Sequence, residues 1–167
     1  HTEVRRQRQM CIRDRETALI VRSNKRANLY NQAVRDKILN NDNTINVGDL
    51  LMVIKNNYFW LNNERDIGFI ANGDIIKIEE IHNIKQLYGF KFAEVKISMV
   101  DYPKIDHLET VLILDSLYIN SSALDFNIMY KLYQEILKDY MNVKTKYKRH
   151  LAVKNNSFFN ALQVKFA

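Results

Sequence analysis

Five consecutive residues, Arg22-Ser23-Asn24-Lys25-Arg26, carry the clearest chemical signal in the chain. They follow a short apolar run and precede a helical pattern, so they occupy the corner between a predicted strand and a predicted helix. Free backbone N–H groups and the helix dipole favour an anion at such a corner, and the three cations add positive charge. The corner predicts either a phosphate contact or an ordinary capped, solvated helix start, and composition favours neither.

A second candidate for phosphate binding fails on its chemistry. Gly68 and Gly73 have the G-x-x-x-x-G spacing of a phosphate loop, but Asp74 stands where that loop needs a lysine. A carboxylate there would repel the terminal phosphates. Asn72-Gly73 instead predicts a hairpin turn, because both residues tolerate positive φ.

No constellation for catalysis or metal binding is evident, and we predict no catalytic residue and no metal ligand. One cysteine, Cys11, excludes a disulfide framework and a cysteine-based zinc site within the chain. Glu79-Glu80 alternates with apolar residues, which indicates a solvated strand face. The four histidines have no histidine partner at i+3 or i+4: His1, His82, His107 and His150.

Composition indicates one ordinary globular domain. The chain has 167 residues, of which 47% are hydrophobic and 26% charged. No run approaches the ~18 apolar residues of a membrane helix, so we expect a cytoplasmic protein without a membrane partner. Four glycines and one proline argue against a collagen-like or linker-rich chain, and the formal charge of +6 favours an anionic partner.

Residues 1–15 differ in composition from the rest. They hold five of the ten arginines and contribute +3 of the formal charge. A basic nucleic-acid arm is one interpretation. The string from Gln9 to Arg15, however, resembles a translated sequencing adapter, and position 1 is not Met. We interpret 1–15 as an artefactual or disordered leader and exclude it from the fold prediction.

Residues 16–46 predict a strand followed by a helix, which is half of an α/β unit. The strand is the apolar run from Ala18 to Val21, and Ser23 or Asn24 can cap the helix. The expected apolar face of the helix consists of Ala27, Tyr30, Val34 and Ile38.

Residues 47–117 predict about five strands and no helix, which favours a small β-barrel. The strands lie over 50–54, over 69–71, after Asn72-Gly73, over 90–100 and over 108–114. Tyr58-Phe59-Trp60 is expected at an exposed tip, where the rings either stack on bases or pack against the core or a neighbouring subdomain, and packing is the favoured interpretation. In the strand over 90–100 the apolar phase changes between Phe92 and Ala93, so a β-bulge is expected there.

The segment 118–156 predicts a strong helix capped by Ser121 or Ser122, then a basic stretch from Lys144 to Lys154. Residues 157–167 alternate as a strand. None of the predicted elements is its obvious partner, so we expect a truncated chain. The apolar face of the helix consists of Leu124, Ile128, Leu132, Tyr133, Ile136, Leu137 and Tyr140.

Three spaced motifs resemble superfamily 1 DNA helicases of the RecD/Dda type. The run from Leu19 to Asn28, with Asn31 and Arg35, resembles the start of their second RecA-like domain. The second motif resembles the G-D-x-V-M…N-D-Y…N-G-D/E-x-G pattern and consists of Gly48-Asp49-Leu50-Leu51-Met52, Asn56-Asn57-Tyr58 and Asn72-Gly73-Asp74. It departs from that pattern at Leu51, Asn57 and Ile76. Residues 160–167 resemble the strand that leads into T-x-H-K-x-Q-G, and the chain ends just before that motif.

The resemblance implies a fold and a function. The fold is mixed α+β: a partial RecA-like α/β segment (16–46), an inserted SH3-like barrel (47–117), a helical segment with a long helix (118–156), and a return strand (157–167) to the RecA-like domain. The full-length protein would be an ATP-dependent 5′–3′ helicase using ATP and Mg²⁺. This part, joined to the remaining helicase domains, would contact single-stranded DNA without a cofactor or ATPase activity of its own. The implied DNA contacts are Arg22, Ser23, Asn24, Lys25, Arg26, Asn56, Asn57 and Tyr58.

An alternative remains open. A stand-alone SH3-like module that binds nucleic acid or protein would also have a barrel and a basic patch. It would leave the α/β half-unit and the final strand without a role. A reading frame that continues past Ala167 into T-x-H-K-x-Q-G would favour the helicase, whereas a stop codon would favour the module.

Overall fold

The computed structural model describes residues 20–37, 43–61 and 68–167. The expected leader 1–15 lies outside these residues. The described residues form three α-helices: α1 (Asn24–Lys37), α2 (Phe126–Asp139) and α3 (Lys146–Lys154). The same residues form five strands: β1 (Leu50–Val53), β2 (Ile75–Leu87), β3 (Phe90–Met99), β4 (Leu108–Ile113) and β5 (Leu162–Phe166).

The strands form a closed barrel in the order β1-β2-β3-β4-β5. All neighbours are antiparallel except β4 and β5, which are parallel, and pairing of β1 with β5 closes the barrel. The predicted mixed α+β class with a small barrel is therefore confirmed.

The origin of the fifth strand differs from the prediction. Residues 69–71 form no strand: Ile70 makes only an isolated bridge with Asn57. The position is filled by β5, in which Leu162 pairs with Leu112 and Val164 with Val53. The expectation of an unpartnered final strand was wrong. Closure satisfies backbone groups that an open edge would leave unpaired.

The predicted bulge between Phe92 and Ala93 was also wrong. Both residues lie in an uninterrupted register with β2 and β4. The irregularities are instead in β2, between Ile78 and Glu80 and between Ile81 and Asn83.

The apolar phase changes in β3 because its two faces contact different cores. Phe90 and Phe92 point towards α2, where they pack in a cluster with Leu132 and Ile136. Ala93 and the alternate residues after it point into the barrel. Beyond Phe92 the outer face is only partly covered, so charged and polar residues alternate there without any inserted residue.

Two turns organise the β-rich part. The expected Asn72-Gly73 turn is present, with Gly73 at φ 102°, and the Asp74 carboxylate accepts a bond from the Ala71 N–H at 2.8 Å. The tight hairpin is elsewhere, at Tyr88-Gly89, where both φ angles are positive (56° and 78°) and join β2 directly to β3.

The predicted helix at the start of the chain is present as α1, and Ser23 caps it by accepting a 3.3 Å bond from the Arg26 N–H. Its expected apolar face does not pack: Tyr30 and Val34 are exposed and Ile38 lies outside the described residues. The polar face contacts the barrel, since Asn31 donates to the Phe166 carbonyl at 2.8 Å. In the predicted strand Ala18–Val21, only 20 and 21 are described, and neither is in a strand.

The caps predicted for the second helix were wrong. Asp125 occupies the N-cap position of α2 without a side-chain bond. Ser121 and Ser122 lie upstream, in a segment that crosses the outer face of β5 and donates the Leu124 N–H to Gln163 Oε1 at 3.0 Å. Among the described residues, no helix has both the length and the apolar character needed to cross a membrane.

Candidate nucleic-acid interface

An open groove of about 340 Å³ lies between the loop after β1 and the segment from α3 to β5. We call it the amide groove because most of its polar lining is amide. The polar lining consists of Lys55, Asn56, Asn57, Tyr58, Lys154, Asn160 and Gln163; Phe59, Met129, Phe159 and Ala161 complete it. Among the described residues, the lining contains no carboxylate. Three residues predicted to contact DNA, Asn56, Asn57 and Tyr58, thus share one wall.

Asn57 builds this wall, and both the nitrogen and the oxygen of its amide bond to the chain. Its Nδ2 donates to the Asn160 carbonyl at 2.8 Å, and its Oδ1 accepts the N–H of Phe59 at 3.0 Å. The same Asn160 carbonyl accepts Trp60 Nε1–H at 2.9 Å. Trp60, expected in an exposed tip, is partly buried and packs against the barrel core and the α2 cluster. Asn57 is therefore a positioning residue.

Tyr58 is the accessible ring of the groove. It is 61% exposed and stacks on Phe69, with ring centroids 4.9 Å apart and planes 29° from parallel. Asn56 fixes the arrangement: its Nδ2 donates to the Tyr58 hydroxyl at 3.4 Å and its Oδ1 accepts the Asn72 N–H at 2.8 Å. Since Phe69 supports one face of the ring, the other can stack against a planar ligand.

Lys55 and Lys154 supply the positive charge of the groove. Both are exposed, and neither forms an ion pair with a carboxylate of the described chain. Two exposed cations beside an aromatic ring and several amides suit an anionic ligand with a planar group. Sequence reasoning missed Lys154, Asn160 and Gln163, because about a hundred residues separate them from the loop after β1 and no local motif joins them.

The other predicted site, Arg22–Arg26, lies at the exposed start of α1 and does not line the groove. Asn24 uses its Nδ2 to reach the Asn120 carbonyl at 3.2 Å, and Ser23 is the helix cap. Arg22, Lys25 and Arg26 are exposed. The structure therefore divides the predicted DNA contacts between two places.

Buried polar residues of β5 bond to the segment before α2, which lies between the amide groove and the start of α1. Lys165 is buried, which lowers the pKa of its amine, and Nζ donates to the Ser121 carbonyl at 2.6 Å. Gln163, on the same outer face, lines the amide groove. The segment over β5 therefore borders the groove and, through Asn120, the start of α1.

The described residues contain no group of three or more His, Cys, Asp or Glu that could hold a metal ion. His82 instead pairs with Glu109 at 2.7 Å, and His150 Nδ1 lies 3.0 Å from the Tyr133 hydroxyl. These residues offer no site that fits the Mg²⁺ that the helicase resemblance implies.

Comparison with known proteins adds no family: neither the family models nor the curated proteins give a match.

Proposed function

We propose that this chain is the single-stranded-DNA-contacting part of an ATP-dependent DNA helicase of the RecD/Dda type, with no ATPase activity of its own. In this proposal, α1 belongs to a RecA-like domain and the barrel is its SH3-like insertion. The observation that carries the DNA-binding proposal is the amide groove: Lys55 and Lys154 beside the exposed ring of Tyr58, with no carboxylate among the described lining residues.

The helicase assignment is supported by what the motif residues contact. In the helix motif, Asn28 donates to the Ile119 carbonyl at 3.1 Å and Arg35 bonds to Asp49 of the barrel motif. Asn57, from the N-D-Y-like part, holds the groove wall. The motif residues thus make the contacts that hold α1 against the barrel and the contacts that form the groove wall. Such structural roles are what a motif shared by proteins of one fold would preserve.

The exposed side of α1 also fits this proposal. Leu29, Tyr30 and Val34 are 57%, 50% and 41% exposed on a helix whose polar face is buried. A neighbouring RecA-like body would cover these side chains.

The alternative proposal, a stand-alone SH3-like module, gains support from β5, because pairing within the chain completes the barrel. Continuation of the reading frame into T-x-H-K-x-Q-G separates the two proposals.

The DNA-binding proposal is tested with the chain and a fluorescent oligo(dT), measured by anisotropy at several salt concentrations. We expect weak binding that Lys55→Glu combined with Lys154→Glu reduces further. The slope of log affinity against log salt should become shallower by about 1.4, since each single-strand phosphate contact contributes about 0.7.

Exposed Lys104 serves as the matched control, because it lies outside the groove and Lys104→Glu makes the same change of charge per site. Absence of oligo(dT) binding, or an equal loss for Lys104→Glu, contradicts the proposed groove. ATP hydrolysis by the purified chain contradicts the assignment to a helicase part without its own ATPase.

A further inference from the structure

A row of aromatic side chains runs along the outside of α2. Phe126, Tyr130 and Tyr133 are spaced i, i+4 and i+7, which places them on one helix face. Phe126 is 76% exposed and Tyr130 53% exposed. We call these three residues the aromatic row. The neighbouring face of α2, with Leu132 and Ile136, packs against the barrel, so the row forms an exposed apolar patch beside that packed face.

The rings of the row are nearly parallel. The Phe126 and Tyr130 centroids are 6.1 Å apart with planes 15° from parallel, and Tyr130 and Tyr133 are 6.3 Å apart at 17°. The row therefore presents rings of similar orientation at regular intervals. Parallel rings of this kind suit successive planar groups, because each nucleobase has a π-face that stacks regardless of its identity.

The row continues the amide groove. Tyr133 contacts Phe159 edge to face, with centroids 6.0 Å apart, and Phe159 lines the groove. Met129, which lies between the row residues on α2, lines the groove as well. A strand of nucleic acid that leaves the groove past Phe159 would meet Tyr133 first.

The charge beside the row is positive. Residues 140–167 contain six cationic side chains and no Asp or Glu. Lys146, His150 and Lys154 share one face of α3. The His150 ring packs at a tilt against the Tyr133 ring, with centroids 5.7 Å apart. Exposed cations next to aromatic faces suit the phosphates and bases of a single strand.

Of the carboxylates on or next to α2, Glu135 is paired with a cation, whereas Asp125 at the start of the row and Asp139 keep their negative charge, so the six cations of 140–167 outnumber them. Glu135 forms an ion pair with Lys138 at 2.7 Å. Asp139 accepts the Tyr88 hydroxyl at 2.5 Å. The partner that complements the remaining surface is anionic and carries planar groups.

We propose that the aromatic row is a second base-stacking surface, which extends the amide groove and lengthens the single-stranded segment that the chain holds. This inference rests on the proposed function, since it takes the groove as the point where the strand enters. Phe126 and Tyr130 stack on bases, while Lys146 and Lys154 lie near the phosphates.

The test compares a short oligo(dT) of about 4 nucleotides with a long one of about 12, both within the site sizes of single-strand-binding folds. We expect the double variant Phe126→Leu with Tyr130→Leu to bind the long oligonucleotide at least about 5-fold more weakly than the wild type. Its affinity for the short oligonucleotide should be unchanged. One stacked base contributes about 1–3 kcal/mol, which corresponds to about 5- to 150-fold in affinity. Leucine keeps the apolar bulk and the helix propensity, and circular dichroism checks the fold.

Two further measurements make the result specific. Tyr30→Leu, at an exposed ring on α1, should change neither affinity. A long oligonucleotide carrying 5-bromodeoxyuridine should photo-crosslink to Tyr130 or Phe126 in the wild-type chain, a signal that a merely structural ring would not produce.

Each contrary outcome has a distinct meaning. No binding of either oligonucleotide by the wild type overturns the proposed function and this inference together. If the double variant Lys55→Glu with Lys154→Glu loses affinity at both lengths and the leucine variants do not, the groove remains supported and the proposed role of the row is overturned. The wild-type chain could also self-associate without DNA. If the leucine variants lose this self-association and keep their DNA affinity, the row is a contact between copies, and the inference is overturned.

Discussion

Arg35 of α1 donates a hydrogen bond to Asp49, immediately before β1, and both side chains are almost fully buried. The guanidinium also donates to the Asn43 carbonyl at 2.9 Å and lies 4.1 Å from the centroid of the Phe166 ring. One arginine thus connects α1 with both strands at the closure of the barrel. This contact explains why the buried residue of α1 is a charged one.

Replacement of Arg35 should destabilise the chain strongly. Arg35→Ala leaves the Asp49 carboxylate buried without its cation, and loss of one partner of a buried pair costs about 3–5 kcal/mol. Urea denaturation measures the free energy of unfolding, and Arg26→Ala, at an exposed position on the same helix, is the control. A loss below about 1 kcal/mol for Arg35→Ala would show that the joint contributes little to stability.

Asn57→Ala should loosen the groove wall. The change removes the side-chain acceptor of the Phe59 N–H, at a cost of about 1–3 kcal/mol, and leaves the Asn160 carbonyl with Trp60 Nε1–H as its remaining side-chain donor. Trp60 is the sole tryptophan, so its emission reports on the same loop and should shift to longer wavelength. Asn56→Ala, at an exposed neighbour, should leave the emission unchanged. Identical spectra for both variants and the wild type would contradict this role for Asn57.

Tyr88 should make stability depend on alkaline pH. Burial, and then the bond to Asp139, raise the pKa of Tyr88 from its ordinary 10.0 to about 12. Because the folded chain retains a proton that the unfolded chain releases near pH 10, this contribution is complete below pH 10 and is lost as the pH rises towards 12. Thermal unfolding of the wild type and Tyr88→Phe between pH 8 and 11 measures it. The difference in Tm should shrink as the pH rises, and a constant difference would exclude Tyr88 as its source.

Charge reversal at the start of α1 should weaken DNA binding without unfolding the chain. In the full-length protein, Lys25→Glu with Arg26→Glu should lower affinity for single-stranded DNA by a similar factor for all sequences, since phosphate contacts carry no base information. Both side chains are exposed, so the melting temperature should change little. Affinities at two salt concentrations are the measurement. Equal affinities and equal salt slopes for variant and wild type would make the corner a plain capped helix start.

Much of the local structure could be predicted from the sequence. The period of apolar residues indicated α1, β3, β4 and α2, and Asn72-Gly73 indicated a turn, because these signals depend on neighbours within a few residues. The tight hairpin at Tyr88-Gly89 was missed because tyrosine seldom adopts a positive φ, so its presence does not indicate a turn. Tyr88 adopts this conformation because β2 pairs directly with β3.

The candidate site was predicted only in part. Asn56, Asn57 and Tyr58 form one wall of the groove, as a motif within three consecutive residues could suggest. The sequence could not show that the Asn57 amide is committed to Asn160 or that Lys154 completes the charge. These relationships join residues about a hundred positions apart, and no periodicity extends across such a distance.

By itself, the sequence determined most of the local elements, the mixed α+β class with a small barrel, and the lack of carboxylates over 140–167. Only the tertiary structure decided that β5 closes the barrel, that α1 packs through Asn31 and Arg35, and that the rings of Phe126 and Tyr130 lie nearly parallel. The physical reason is the range of the interactions. Helix and turn preferences act between neighbours, whereas strand closure, buried ion pairs and shared surfaces depend on which distant segments the packed core brings together.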